Sequence, residues 1–158
     1  MTGKTTTNAT RVLDARKAVY ALRTFAAADF TAEEAAEKLG VPPGEVWKTL
    51  VAKGDRTGLL AAVIPTGTRL SLKKLARVSG NRTVAMVSPD EMEKATGYVK
   101  GGCSPFGMRK AMPLYVHEAA PAMPRLFVSA GQRGVQLEMA GEAFFAASGA
   151  TAADLVEE

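Results

Sequence analysis

The apolar positions of this chain fall in short segments that switch repeatedly between a helical and a strand period. Asn8 is positioned to cap a helix over 8–17 that turns Val12 and Leu13 inward, and a β-rich run follows at 19–25. Thr31 and Glu34 have the spacing of a capping box, which starts a helix over 32–39. Gly40 stops that helix, and Pro42-Pro43 keeps it from resuming. Two apolar runs, 46–52 and 59–64, flank a Gly/Asp turn and predict a hairpin. Ser71 caps a helix over 72–78, with Leu72, Leu75 and Ala76 on one side and Lys73, Lys74 and Arg77 on the other. A strand at 84–87 precedes a helix opened by Ser88-Pro89 and running to 95. Beyond a glycine-rich loop at 96–107, strands are expected at 113–117, 126–129 and 135–139 and a helix at 142–147.

About seven short strands interleaved with four or five short helices describe a mixed α/β domain. None of the segments is long enough to be a crossover helix of a doubly wound sheet. The pattern therefore favours a curved, mostly antiparallel sheet or barrel with helices packed outside.

Composition narrows the chemistry. The chain has 158 residues, 47% of them apolar, and no linker or repeat divides it, so one domain over 8–158 with a loose tail at 1–7 is expected. The single cysteine, Cys103, excludes an intramolecular disulfide and suits a reducing compartment. Together with the single histidine, His117, it cannot alone supply a structural zinc site, and neither a metal nor another cofactor is expected. One imidazole also leaves little freedom for Ser-His or Cys-His catalysis. The N-terminal residues are polar, with no apolar core of a secretory signal, and the longest apolar run is far shorter than the ~20 residues of a membrane span. A cytoplasmic protein with no membrane contact is the expectation. The net charge of +4 is compatible with a polyanionic partner without requiring one.

Three places offer chemistry. Lys48 lies within an apolar run and shares a strand face with Val46 and Leu50. It is either a lysine whose stem covers apolar surface or one at the mouth of a pocket, where partial desolvation makes its charge a strong anchor for a carbonyl or phosphate oxygen. The loop Gly101-Gly102-Cys103-Ser104-Pro105-Phe106-Gly107 allows close approach of backbone N–H groups to an oxyanion, or it is a tight connection only. It lacks the Gly-Lys-Ser/Thr ending of a Walker loop. The stretch Val128-Ser129-Ala130-Gly131-Gln132-Arg133-Gly134 reads as a strand entering a turn. Cys103 reads as a small buried filler, and His117 as a packing or surface residue. Lys73, Lys74, Arg77, Arg82, Arg109 and Lys110 are candidates for a phosphate-facing patch, although a solvated helix face accounts for the first three as well.

The order and spacing of Val46-Trp47-Lys48-Thr49-Leu50, of the segment from Thr96-Gly97-Tyr98 to Phe106-Gly107, and of Val128 to Gly134 resemble the YbaK/EbsC family. Its members are bacterial aminoacyl-tRNA deacylases related to the editing domain of prolyl-tRNA synthetase, and the resemblance is greatest to the Cys-tRNA(Pro) deacylase branch. It implies that fold, and removal in trans of cysteine mistakenly joined to tRNA(Pro). A hydrophobic pocket separates similarly sized amino acids by only ~1–3 kcal/mol, which is why such errors need correction. It implies Lys48 as the key catalytic residue. It further implies Tyr20, Gly101, Gly102, Ser104, Pro105, Ser129 and Gly131 as substrate-binding residues. The partner implied is the acceptor end of an aminoacyl-tRNA, with tRNA selection either intrinsic or through a complex with prolyl-tRNA synthetase. In the cysteine-specific branch the substrate's own thiol attacks the ester and leaves as cysteine thiolactone, which calls for no histidine or cysteine of the protein. Deacylation of alanine or serine, and a non-catalytic module that binds tRNA or a synthetase, are the alternatives. The chain departs from the family pattern in a short stretch at 26–31 and in Gln136, where many members carry an acidic residue.

Overall fold

The computed structural model describes residues 5–158. Its elements, in chain order, are α1 (Asn8–Ala15), β1 (Ala21–Thr24), α2 (Ala32–Leu39), β2 (Trp47–Gly54), β3 (Gly58–Pro65), α3 (Leu72–Ser79), β4 (Val84–Met86), α4 (Pro89–Thr96), β5 (Leu114–His117), β6 (Leu126–Gln132), β7 (Val135–Met139), α5 (Gly141–Ser148) and β8 (Thr151–Ala153). Short 3-10 turns stand at Pro43–Glu45 and Ala120–Ala122.

Side-chain caps set several of these starts. Thr31, Ser71 and Ser88 accept hydrogen bonds from the N–H groups of Glu34, Lys74 and Glu91, and glycines in the left-handed region end α2, α3 and α4. The first helix is capped one residue earlier than its sequence suggests: Thr7 and Thr10 form the reciprocal box, and Asn8 is the first helical residue. Thr7, at the end of the expected tail, also donates its hydroxyl to the Ala130 carbonyl at 2.5 Å. The rest of that tail lies partly outside the described residues.

The mixed α+β architecture expected from the pattern is present, with its strands divided between two sheets. One is a three-stranded antiparallel sheet in the order β1-β7-β6; the other has five strands in the order β4-β2-β3-β5-β8. The β2–β3 hairpin is antiparallel throughout, but β3–β5 and β5–β8 are parallel. The chain between β3 and β5 reaches its parallel position through α3, β4, α4 and a long loop rather than one crossover helix. This is why the alternation of short elements did not disclose it. The strand β8 went unseen because Thr151-Ala152-Ala153 carries no strand signature.

Both faces of the larger sheet are covered, as the alternation along β3 requires. Val63 joins Leu13, Trp47, Phe106, Val116, Leu126, Val128, Leu137 and Phe144 in one cluster. Leu60, Ala62 and Ile64 point the other way and pack with Leu75 of α3 and Leu155. A smaller cluster of Ala35, Ala36, Val46 and Phe127 fastens α2 over the junction of the sheets. There Val46 and Phe127 form an isolated parallel bridge.

Candidate functional site

Next to that bridge lies a cavity of about 420 Å³, the size of a small-ligand site. Residues 46–51 of the β2 region form one wall. Ser129 and Gln136 enter from β6 and β7; Met86 and Met92 come from the β4–α4 region, and Gly101 and Cys103 from the glycine-rich loop. Phe25, Phe30 and the start of α2 complete the enclosure. Lys48 is half-buried in this wall, and among the described residues its ammonium has neither a hydrogen-bond nor an ion-pair partner.

Polar groups at the cavity are left without protein partners. Among the described residues, the Thr49 hydroxyl and the Gln136 carbonyl oxygen are buried and make no hydrogen bond, and both residues line the cavity. A buried polar atom without a partner costs about 1–3 kcal/mol. Ser129 is held differently: its hydroxyl accepts from the Gly131 N–H at 3.1 Å, within the register shift that bulges β6 between Ser129 and Gln132.

The glycine-rich loop is fixed by close packing. Gly101 has a φ of 83°, and a Cβ there would lie 2.5 Å from the Phe30 Cβ and 2.7 Å from its carbonyl oxygen. Gly131, with a φ of 97°, admits the Tyr98 ring, which a Cβ would approach to 2.6 Å. The Tyr98 hydroxyl donates to the Phe106 carbonyl at 2.6 Å, and burial pushes its pKa up to about 12. Cys103 faces the cavity as a thiol, since burial raises its pKa to about 11 against the opposing effect of a Thr96 hydrogen bond.

The expected site residues thus separate into groups. Lys48, Gly101 and Ser129 meet at the cavity. Gly102 backs onto the main chain of Gln132 and Arg133, while Ser104 is fully buried and accepts from the Phe106 N–H at 3.2 Å. Gly131 stands behind Ser129, and Pro105 lines a second, smaller cleft with Lys110. Tyr20 is outside the cavity lining. It precedes β1, which starts at Ala21 rather than 19, and donates its hydroxyl to Asp14 at 2.7 Å. Lys73, Lys74 and Arg77 lie on α3, where Lys74 is taken up by Asp154 at 2.7 Å, and Arg109 packs beside Gly97. Arg82 lies at the Asp55 turn, where its backbone N–H donates to that carboxylate.

The cations beside the cavity are others, Lys100 and Arg133. Lys100 lines it, and Arg133 donates from Nε to the Lys100 carbonyl at 2.8 Å while its guanidinium covers the Phe30 ring at 3.9 Å. Sequence reasoning also missed Phe25, Phe30, Thr49, Met86 and Met92. Phe30, between Asp29 and Thr31, and Met92, within Asp90-Glu91-Met92-Glu93-Lys94, carried a signal as large apolar residues between polar neighbours. No group of three or more His, Cys, Asp or Glu side chains is placed to hold a metal ion among the described residues. No helix among them is long and apolar enough to cross a membrane.

The family model for the aminoacyl-tRNA editing domain matches residues 27–146, a span that contains every residue of the cavity wall except Phe25. This chain belongs to the aminoacyl-tRNA editing domain family. The editing domain is 46% identical over 139 residues to a protein of Enterococcus faecalis named "Putative Cys-tRNA(Pro)/Cys-tRNA(Cys) deacylase EbsC", covering 87% of this chain and 85% of that one. It is 34% identical over 79 residues to the proline–tRNA ligase of Fervidobacterium nodosum, which is half of this chain and 14% of the ligase. Among solved structures, one described as "a putative trans-editing enzyme for prolyl tRNA synthetase" superimposes with a TM-score of 0.85 at 27% identity, covering 98% of this chain and all of that one. The crystal structure of a hypothetical protein superimposes with a TM-score of 0.88, also at 27% identity, over 96% of this chain and all of that one.

Proposed function

We propose that this editing domain is a trans-editing deacylase that removes cysteine mischarged onto tRNA(Pro). The observation that carries the reading is the half-buried Lys48, without a partner among the described residues, in the wall of a cavity of aminoacyl size. The relatives' names add the substrate class.

In this reading the aminoacyl end of the tRNA enters between β2 and the glycine-rich loop. The Lys48 ammonium and backbone N–H groups near Gly101 hold the ester carbonyl oxygen, where negative charge develops as the carbonyl carbon is attacked. The substrate thiol is the nucleophile. Its sulfur bonds to the carbonyl carbon, the bond to the ribose oxygen breaks, and the thiol proton passes to that oxygen. The products are tRNA and cysteine thiolactone, which water then opens. The protein contributes alignment of sulfur and carbonyl and stabilisation of charge, so no protein nucleophile is required. The protonated state of Cys103 agrees with this division of labour. Selection of tRNA(Pro) is shared with prolyl-tRNA synthetase as a partner, and the reaction takes place in the cytoplasm.

The test is loss of labelled amino acid from Cys-tRNA(Pro), Ala-tRNA(Pro) and Ser-tRNA(Pro). Preferential loss of cysteine, with thiolactone as the first product, is expected. Preference for alanine or serine overturns the substrate, and three intact esters overturn the deacylase.

A further inference from the structure

Phe30 stands where a large aromatic residue is unexpected. It is 38% exposed at the cavity mouth and has a φ of 60°, a conformation that bulky side chains rarely adopt. Such a backbone persists only where its surroundings over-determine it. Here the agent is one side chain. The carboxylate of Glu34, 6% exposed, accepts the backbone N–H of Ala28 on both oxygens at 3.0 and 2.9 Å. It also accepts that of Asp29 at 3.0 Å and that of Phe30 at 3.2 Å. Three successive amides thus converge on one buried anion, which Lys38 supports from the next turn of α2 at 3.8 Å.

This arrangement departs from the capping box that Thr31 and Glu34 suggest in sequence. Thr31 does accept from the Glu34 N–H, but the Glu34 side chain passes the N-cap and gathers the loop before it. The loop so held presses the Phe30 backbone against Gly101 and places its ring under the Arg133 guanidinium. The result is a cationic–aromatic pair beside the cavity, an exposed Arg133 guanidinium over the partly exposed Phe30 ring, with Lys100 adjoining it. A guanidinium backed by an aromatic ring and flanked by a second cation is suited to a stacked nucleobase and its phosphate.

We propose that Glu34 is a positioning residue that sets Phe30 and Arg133 as the seat for the 3′-terminal adenosine of the tRNA. This inference rests on the deacylase reading, since that reading places the acceptor end at the cavity, but its test does not depend on catalysis.

The experiment compares binding of uncharged tRNA(Pro), intact and lacking its 3′-terminal adenosine, to the wild type and to Glu34→Gln, Glu34→Asp and Phe30→Ala. A glutamine turns an N–H donor toward amides that need an acceptor, and an aspartate withdraws the carboxylate by one methylene. The wild type is expected to bind intact tRNA roughly 5- to 150-fold more tightly than truncated tRNA, the range of one base stacked on an aromatic ring. Phe30→Ala and Glu34→Gln remove most of that difference, while affinity for truncated tRNA stays near wild type. Glu34→Asp reduces the difference and serves if Glu34→Gln does not fold. A merely structural role for Glu34 lowers both affinities together and leaves their ratio intact. The inference is overturned if the ratio survives in both Glu34 variants, or if the wild type does not distinguish the two tRNAs. Deacylation measured in parallel separates the two claims: an inactive wild type that still discriminates overturns the deacylase and not the seat.

Discussion

Gly101→Ala probes the junction of loop and cavity most sharply. The substitution forces an L-residue to a φ of 83° and brings its methyl to 2.5 Å from the Phe30 Cβ, about 1 Å inside ordinary carbon contact. The left-handed backbone costs about 1–2 kcal/mol. Relief of the overlap requires Phe30 to move, yet its loop is fastened to Glu34 by three amides, so an overpacking cost of about 1–3 kcal/mol applies. The total, about 2–5 kcal/mol, lowers the melting temperature of a chain of this size by roughly 4 to 20 °C. Thermal unfolding followed by calorimetry measures it. The same substitution in a Phe30→Gly background removes the Cβ partner but leaves the Phe30 carbonyl, which a methyl at 101 approaches to 2.7 Å. Rescue is therefore partial, with a coupling of about 1 kcal/mol or more. A melting temperature unchanged by Gly101→Ala, or a loss identical in both backgrounds, refutes the packing argument.

Other expectations concern charge. With its pKa raised from 9.0 to about 11 by burial, Cys103 adds stability that is fully present below pH 9 and is lost as the pH rises through about 11. Alkylation by iodoacetamide should accordingly be slow at neutral pH and rise with a midpoint near 11; a midpoint near that of a free thiol contradicts the assignment. Binding of tRNA should weaken with salt, and Lys100→Ala should reduce the slope of log affinity against log salt by about 0.7–0.9 if one phosphate contact is lost. Lys74→Ala, whose ammonium is engaged by Asp154, should leave that slope unchanged. Equal slopes for the wild type and Lys100→Ala contradict a phosphate contact at Lys100.

Local chemistry carried most of the fold into view. The caps at Thr31, Ser71 and Ser88, and the hairpin around 53–58, depend on residues within a few positions of one another, so the sequence displays them. The parallel pairing of β3, β5 and β8 depends on partners far apart in the chain. Nothing within β8 itself marks it as a strand. The site divides in the same way. Lys48 stands out because a cation interrupts an apolar run, and Gly101 because glycines cluster around it. Thr49 and Gln136 are ordinary strand residues until the two sheets bring them to one cavity, with oxygens unpaired among the described residues. Glu34 was legible as half of a capping box, yet its carboxylate serves three amides of the preceding loop, a role that only the folded backbone reveals. Tyr20 illustrates the converse: the strand starts two residues later than its pattern suggests, and the Tyr20 hydroxyl is on Asp14 rather than at the cavity.

The account centres on Lys48 as the cation that stabilises charge on the ester oxygen. Single-turnover loss of cysteine from Cys-tRNA(Pro), compared between the wild type and Lys48→Ala at saturating enzyme, tests this directly. Removal of one such donor should slow the chemical step by about 100- to 1000-fold. An unchanged rate at saturation, in a Lys48→Ala protein that melts like the wild type, contradicts it.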